Sequence, residues 1–203
     1  MNIVLGTTNP TKAAYLAWLV DGLGLQCGTV EGLPPPPAES GQTLAENARL
    51  KALHYSRAAN SLAIASDGRL HIPALRERWD PLLTHRFAGD SASDTERARA
   101  LLTLMEGLHG NERRAFFLEA VAVADRGRLL GEWEAPGETA LVAEAMSERL
   151  VSNFWAGSLL LYSRLRRFRT ELAMEPGAVE AEAAAWGRLR QPVQKYLRQW
   201  LGR

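Results

Sequence analysis

Ile3-Val4-Leu5 is a short apolar run near the start of the chain, and the polar stretch Gly6-Thr7-Thr8-Asn9 follows at once. From Pro10 apolar residues return at helical spacing as far as Val20 and stop at Asp21-Gly22. This pattern predicts a buried strand, a tight loop and a helix. Thr8 or Asn9 is the N-cap, and Pro10 takes a first helical position, where its missing N–H costs nothing. The loop then faces free N–H groups and the positive end of the helix dipole, with Lys12 one turn inside, which suits an anion. The glycines and the Gly-Lys-Ser/Thr ending of a Walker loop are absent. An ordinary first strand and capped helix would show the same pattern.

Gln26 to Val30 reads as a second strand. Pro34 to Pro37 form a stiff extended surface segment that delivers the chain to Glu39-Ser40-Gly41. A long helix follows, roughly Thr43 to Asn60, on which Asn47 and Lys51 are four apart and share a face. That face is either solvated or functional. Ser61 to Ala65 is a buried strand ending in a turn, Ser66-Asp67-Gly68-Arg69. Asp67 there is either a turn residue or a carboxylate placed where α/β sheets put their chemistry. Leu70 to Leu75 reads as a short strand or hairpin arm closed by Pro73, and Ser93 or Asp94 caps a helix to about Leu108. Phe116 to Ala124 and Leu129 to Glu134 form a hairpin about Asp125-Arg126-Gly127-Arg128. Helical spacing resumes after Thr139, and Val179 to Leu201 reads as a surface helix interrupted near Gly187 and Pro192.

Composition removes several function classes. The 203 residues suit one domain, in one or two lobes. Lys+Arg 24 against Asp+Glu 23 gives a net charge of +1 and no argument for nucleic acid or a membrane surface. The basic cluster Arg164, Arg166, Arg167 and Arg169 holds a single aromatic, Phe168, and reads as a solvated or phosphate-facing surface in preference to an RNA-binding face. The single cysteine, Cys27, excludes an internal disulfide. No apolar run approaches a membrane helix and no signal peptide is visible, so a cytoplasmic protein is expected.

The polar pieces form an ordered series: Thr7-Thr8-Asn9-Pro10-Thr11-Lys12, Glu39, Glu46-Asn47-Ala48-Arg49-Leu50-Lys51-Ala52 and Ala63-Ile64-Ala65-Ser66-Asp67-Gly68. With Arg86-Phe87-Ala88-Gly89 and Arg114-Ala115-Phe116-Phe117, this series resembles the inosine-triphosphate pyrophosphatase family over roughly residues 1–135. Those enzymes hydrolyse non-standard purine nucleoside triphosphates. The resemblance implies an elongated mixed α/β sheet flanked by helices, with two lobes around a nucleotide cleft, usually in a homodimer. It implies Mg²⁺-dependent attack of water on the α-phosphate, giving nucleoside monophosphate and pyrophosphate. By the same resemblance Glu39 and Asp67 hold the metal, and Asp67 and Lys12 are catalytic. Thr7, Thr8, Asn9, Lys12, Asn47, Lys51 and Gly68 bind the substrate. The residue types fit, since lysines and amides neutralise phosphates and Mg²⁺ takes carboxylate oxygens.

The chain also departs from the family. Its paired aspartates are Ser66-Asp67 here, and its following Ser-Gly is Gly68-Arg69. The Gly-Phe-Gly-Tyr-Asp-Pro and Ser-His-Arg segments of the base pocket are missing. Trp155-Ala156-Gly157-Ser158-Leu159 and Ala185-Trp186-Gly187-Arg188 stand about there. The tryptophans are either core residues or base-stacking platforms, and weak or altered base discrimination is expected. A nucleotide-binding homologue that has lost turnover is the alternative to an enzyme.

Overall fold

The computed structural model describes residues 1–80, 87–89, 91–151, 154–163, 165–172 and 185–202. Two compact units divide the chain. The first comprises Met1–Gly68, Leu118–Gly137 and the C-terminal helix, and the second Arg69–Phe117 and the chain between Glu138 and Leu172.

In the first unit β1 (Asn2–Leu5), α1 (Pro10–Val20), β2 (Gln26–Gly28), α2 (Leu44–Ala58) and β3 (Leu62–His71, running on into the second unit) follow in order. β1 pairs in parallel with β2 on one side and β3 on the other. The chain therefore leaves β1 in one direction through α1 and returns past it through α2. Right-handed crossovers of opposite direction put the two helices on opposite faces. The reversal makes the carboxyl ends of β1 and β3 a topological switch point, where open α/β sheets place their ligands. β4 (Arg114–Asp125) turns antiparallel into β5 (Arg128–Pro136), with a register shift at Val123/Ala124. The hydrogen-bonded strand order is β2-β1-β3-β4-β6-β7-β8, with β5 on β4.

Strand alternation sorts the faces. Ile3, Leu5, Leu62, Ile64, Val121 and Val123 join α1 and the C-terminal helix α4 (Ala185–Trp200) in one core. Val4, Ala63 and Tyr55 pack together in another cluster. Contrary to the expected interrupted surface helix, α4 runs unbroken through Gly187 and Pro192. Proline costs about 3 kcal/mol inside a helix. Leu189, Val193 and Leu197 are buried, each worth roughly 1.5–3 kcal/mol, which outweighs that cost.

The second unit holds α3 (Asp94–Leu104, capped by Ser93), β6 (Ala140–Val142), β7 (Leu160–Tyr162) and β8 (Arg167–Phe168). The helix expected after Thr139 is strand here, since β6 pairs with both Arg114-Ala115 and Leu160-Leu161. Pairing partners distant in sequence override the local helical spacing. The Arg113 guanidinium donates to the carbonyls of Val142, Ala143, Met105 and Leu108, tying β6 to the end of α3. Among the described residues no helix is long and apolar enough to cross a membrane.

Candidate active site

β1 stops at Leu5, opposite Ile64, while β3 runs on to His71. Past Ile64 the β1 side of β3 thus faces a loop instead of a strand. Asn9 caps α1 there, its Oδ1 accepting from the N–H groups of Thr11 (2.9 Å) and Lys12 (3.2 Å). Thr7 Oγ1 accepts from Asn9 N–H at 3.1 Å, which fixes the loop. Two helix-start amides are therefore consumed by the cap, and the donors left to a ligand include Asn9 Nδ2 and the Lys12 ammonium. Among the described residues no ion pair ties up Lys12. Thr8 is exposed beside it.

Asp67 is not in a turn. β3 continues through Ser66-Asp67-Gly68, and Asp67 is only 9% exposed. Lys51 Nζ donates to its Oδ1 at 2.8 Å, and Asn47 Nδ2 to its Oδ2 at 3.3 Å. The same ammonium meets Glu39 Oε1 at 2.5 Å. Asn47 also accepts from Gly41 N–H at 2.8 Å, so one amide joins the Glu39 loop to Asp67. A Cβ on Gly41 would lie 2.7 Å from Asn47 Oδ1, which is why glycine stands there. The face shared by Asn47 and Lys51 is thus buried and paired, not solvated. Burial pulls the Lys51 pKa down, but Asp67 and Glu39 more than offset it and hold it above the ordinary lysine value.

The sequence reading missed Glu119. It lies on β4, 8% exposed, with its carboxylate in the space that a side chain on Gly68 would need. Gly68 is therefore a spacer for Glu119. Its Oε2 is enclosed without a hydrogen-bond partner. Burial pushes the Glu119 pKa up to about 7; the nearby Lys12 opposes this, Asp67 adds to it and Lys51 opposes it. The only available signal was one carboxylate inside the apolar strand Phe116 to Ala124.

Neither tryptophan is a free stacking platform. Trp186 is 6% exposed and stacks on Tyr15 in the first unit's core. Trp155 is buried in the second unit with Trp79 and Phe87. Arg188 donates to the carbonyls of Pro136 and Gly137. In the basic cluster Arg169 is buried against Phe154, and Arg167 donates to the Glu171 carbonyl. Arg86 and Arg164 lie outside the described residues.

Fold and site define an α/β protein with a charged polar site at the carboxyl edge of its parallel strands. The chain belongs to the Ham1 family, whose model matches residues 3–146. It is 30% identical over 177 residues, 86% of each chain, to a dITP/XTP pyrophosphatase of Desulforamulus reducens. It is 36% identical over 128 residues, 62% of each chain, to one of Geobacillus kaustophilus. Two solved structures share the fold. A HAM1 protein from Coxiella burnetii has a TM-score of 0.81 at 23% identity, covering 98% of this chain and 99% of that one. The Staphylococcus aureus Ham1 protein scores 0.79 at 20% identity with the same coverage.

Proposed function

We propose that this chain is a nucleoside triphosphate pyrophosphatase that splits nucleotides, non-standard purine ones such as dITP and XTP among them, into monophosphate and pyrophosphate with weak base selection. The observation that carries the reading is the Lys51 ammonium held between Glu39 and Asp67 at the switch point, in a Ham1 member related to dITP/XTP pyrophosphatases.

Two carboxylates already converge there on one cation, so their oxygens suit a divalent metal. Mg²⁺ is held by one or two carboxylates, waters and substrate phosphates, so these two carboxylates suffice for it. Bound to Glu39 and Asp67, the ion would neutralise phosphate charge. Asn9 Nδ2, Thr8 and Lys12 face the triphosphate from the loop and supply charge-assisted hydrogen bonds. Asp67 orients the attacking water, while Asn47 and Lys51 fix its carboxylate. Preorganised groups of this kind stabilise developing charge without rearranging during the reaction. A cytoplasmic homodimer completes the reading.

The test is a nucleotide panel with Mg²⁺, measuring pyrophosphate separately from phosphate. Pyrophosphate and monophosphate in equal amounts from dITP and XTP are expected. Phosphate alone, or no turnover on any nucleotide, would overturn the reading.

A further inference from the structure

We infer that Glu119 is a second carboxylate of the reaction, the group that takes the proton from the attacking water. The inference rests on the pyrophosphatase reading and assigns a residue that the sequence pattern does not supply.

Position 66 carries serine where the resembled family has the first of two aspartates, so β3 offers one carboxylate instead of two. β4 lies next to β3, and Glu119 reaches from it over β3 at Gly68. Any side chain at 68 would collide with this carboxylate. Glycine at 68 and glutamate at 119 are therefore one arrangement, and the carboxylate occupies a space that a serine at 68 would fill. Alternation puts Ser66 on the same face as the missing Gly68 side chain. Ser66 Oγ, like Glu119 Oε2, is buried without a partner. Unpaired buried acceptors mark a place that a water or ligand satisfies. Lys12, on the helix of that face, is the foremost positive charge acting on Glu119, yet no ion pair joins them.

Both Asp67 oxygens, by contrast, are already occupied by hydrogen bonds from Asn47 and the Lys51 ammonium, whereas Glu119 Oε2 has no partner. Burial also raises the Glu119 pKa above the ordinary carboxylate value. In the step, the water oxygen forms a bond to the α-phosphorus as Glu119 accepts its proton. The bond from the α-phosphorus to the bridging oxygen breaks, and its electron pair leaves with pyrophosphate. Glu119 then returns the proton to solvent.

The experiment compares the wild type with E119Q and E119D in kcat, in affinity for a non-hydrolysable triphosphate by calorimetry, and in Mn²⁺ affinity without nucleotide. For E119Q a kcat loss of about 100-fold or more is expected, the usual weight of a general base. Analogue and Mn²⁺ affinities should stay within about threefold, changes of only ~0.65 kcal/mol. E119D, which keeps a carboxylate, should recover part of the rate. Wild-type kcat in E119Q would overturn the inference alone. So would a loss of Mn²⁺ affinity with kcat restored at high metal, because Glu119 would then be a metal ligand. A wild type that releases no pyrophosphate would overturn the parent reading and this one together.

Discussion

Lys51 Nζ lies 2.8 Å from Asp67 Oδ1, and the same ammonium reaches Glu39 at 2.5 Å. One lysine thus bridges two carboxylates. Lys51→Ala should lower stability by about 3 kcal/mol, the low end for removing one partner of a buried pair, since Glu39 is partly exposed. Added Mg²⁺ should then raise the thermal midpoint of Lys51→Ala more than that of the wild type. Equal metal-induced shifts in the two proteins would show that the carboxylates do not share a cation.

Asp67→Asn removes the negative charge proposed to hold the metal and orient the water, with almost no change in volume. Turnover should fall about 100-fold or more, the scale of losing one preorganised electrostatic group, with an unchanged far-UV circular dichroism spectrum. Full Mg²⁺-dependent activity in this variant would remove Asp67 from the site.

Glu119 has a folded-state pKa of about 7 against an ordinary 4.5. The folded protein therefore binds more protons than the unfolded chain between those values, and stability falls as pH rises through that window. Above pH 7 the full cost applies, on the order of 3 kcal/mol. Glu119→Gln should raise the thermal midpoint at pH 8 and change it little at pH 4.5. A midpoint gain that is the same at both values would contradict the burial of a free carboxylate.

Base selection should be weak. Trp186 and Trp155 are core residues, and Arg188 is committed to backbone carbonyls, so none replaces the missing base-reading segments. A site rejects wrong partners strongly only when its own polar groups are left unpaired. The expected kcat/KM ratio of inosine to adenosine triphosphate is below about 100-fold, less than ~2.7 kcal/mol of discrimination. A larger ratio would mean that other residues read the purine edge.

The first half of the site was legible because its signals are local. Asn9 and Pro10 set the start of α1, and Thr43 with Glu46 closes a capping box at the start of α2. Side chains four apart on α2 then had to share a face, as Asn47 and Lys51 do. What escaped the sequence depends on distant partners. Ser66-Asp67-Gly68 has turn chemistry, yet β3 passes straight through it between neighbouring strands. Glu119 looked like one polar position in an apolar strand, and only the bare Cα of Gly68 beside it shows why it is buried. Pro192 argued for a break that the buried face of α4 overrides.

The central claim, water attacking the α-phosphorus at the site built around Asp67, is tested most directly by turnover in ¹⁸O-water with mass analysis of both products. The label should appear in the nucleoside monophosphate and not in pyrophosphate, and labelled monophosphate should form about 100-fold more slowly in Asp67→Asn. Label in pyrophosphate or in free phosphate would place the attack on another phosphorus and contradict the account.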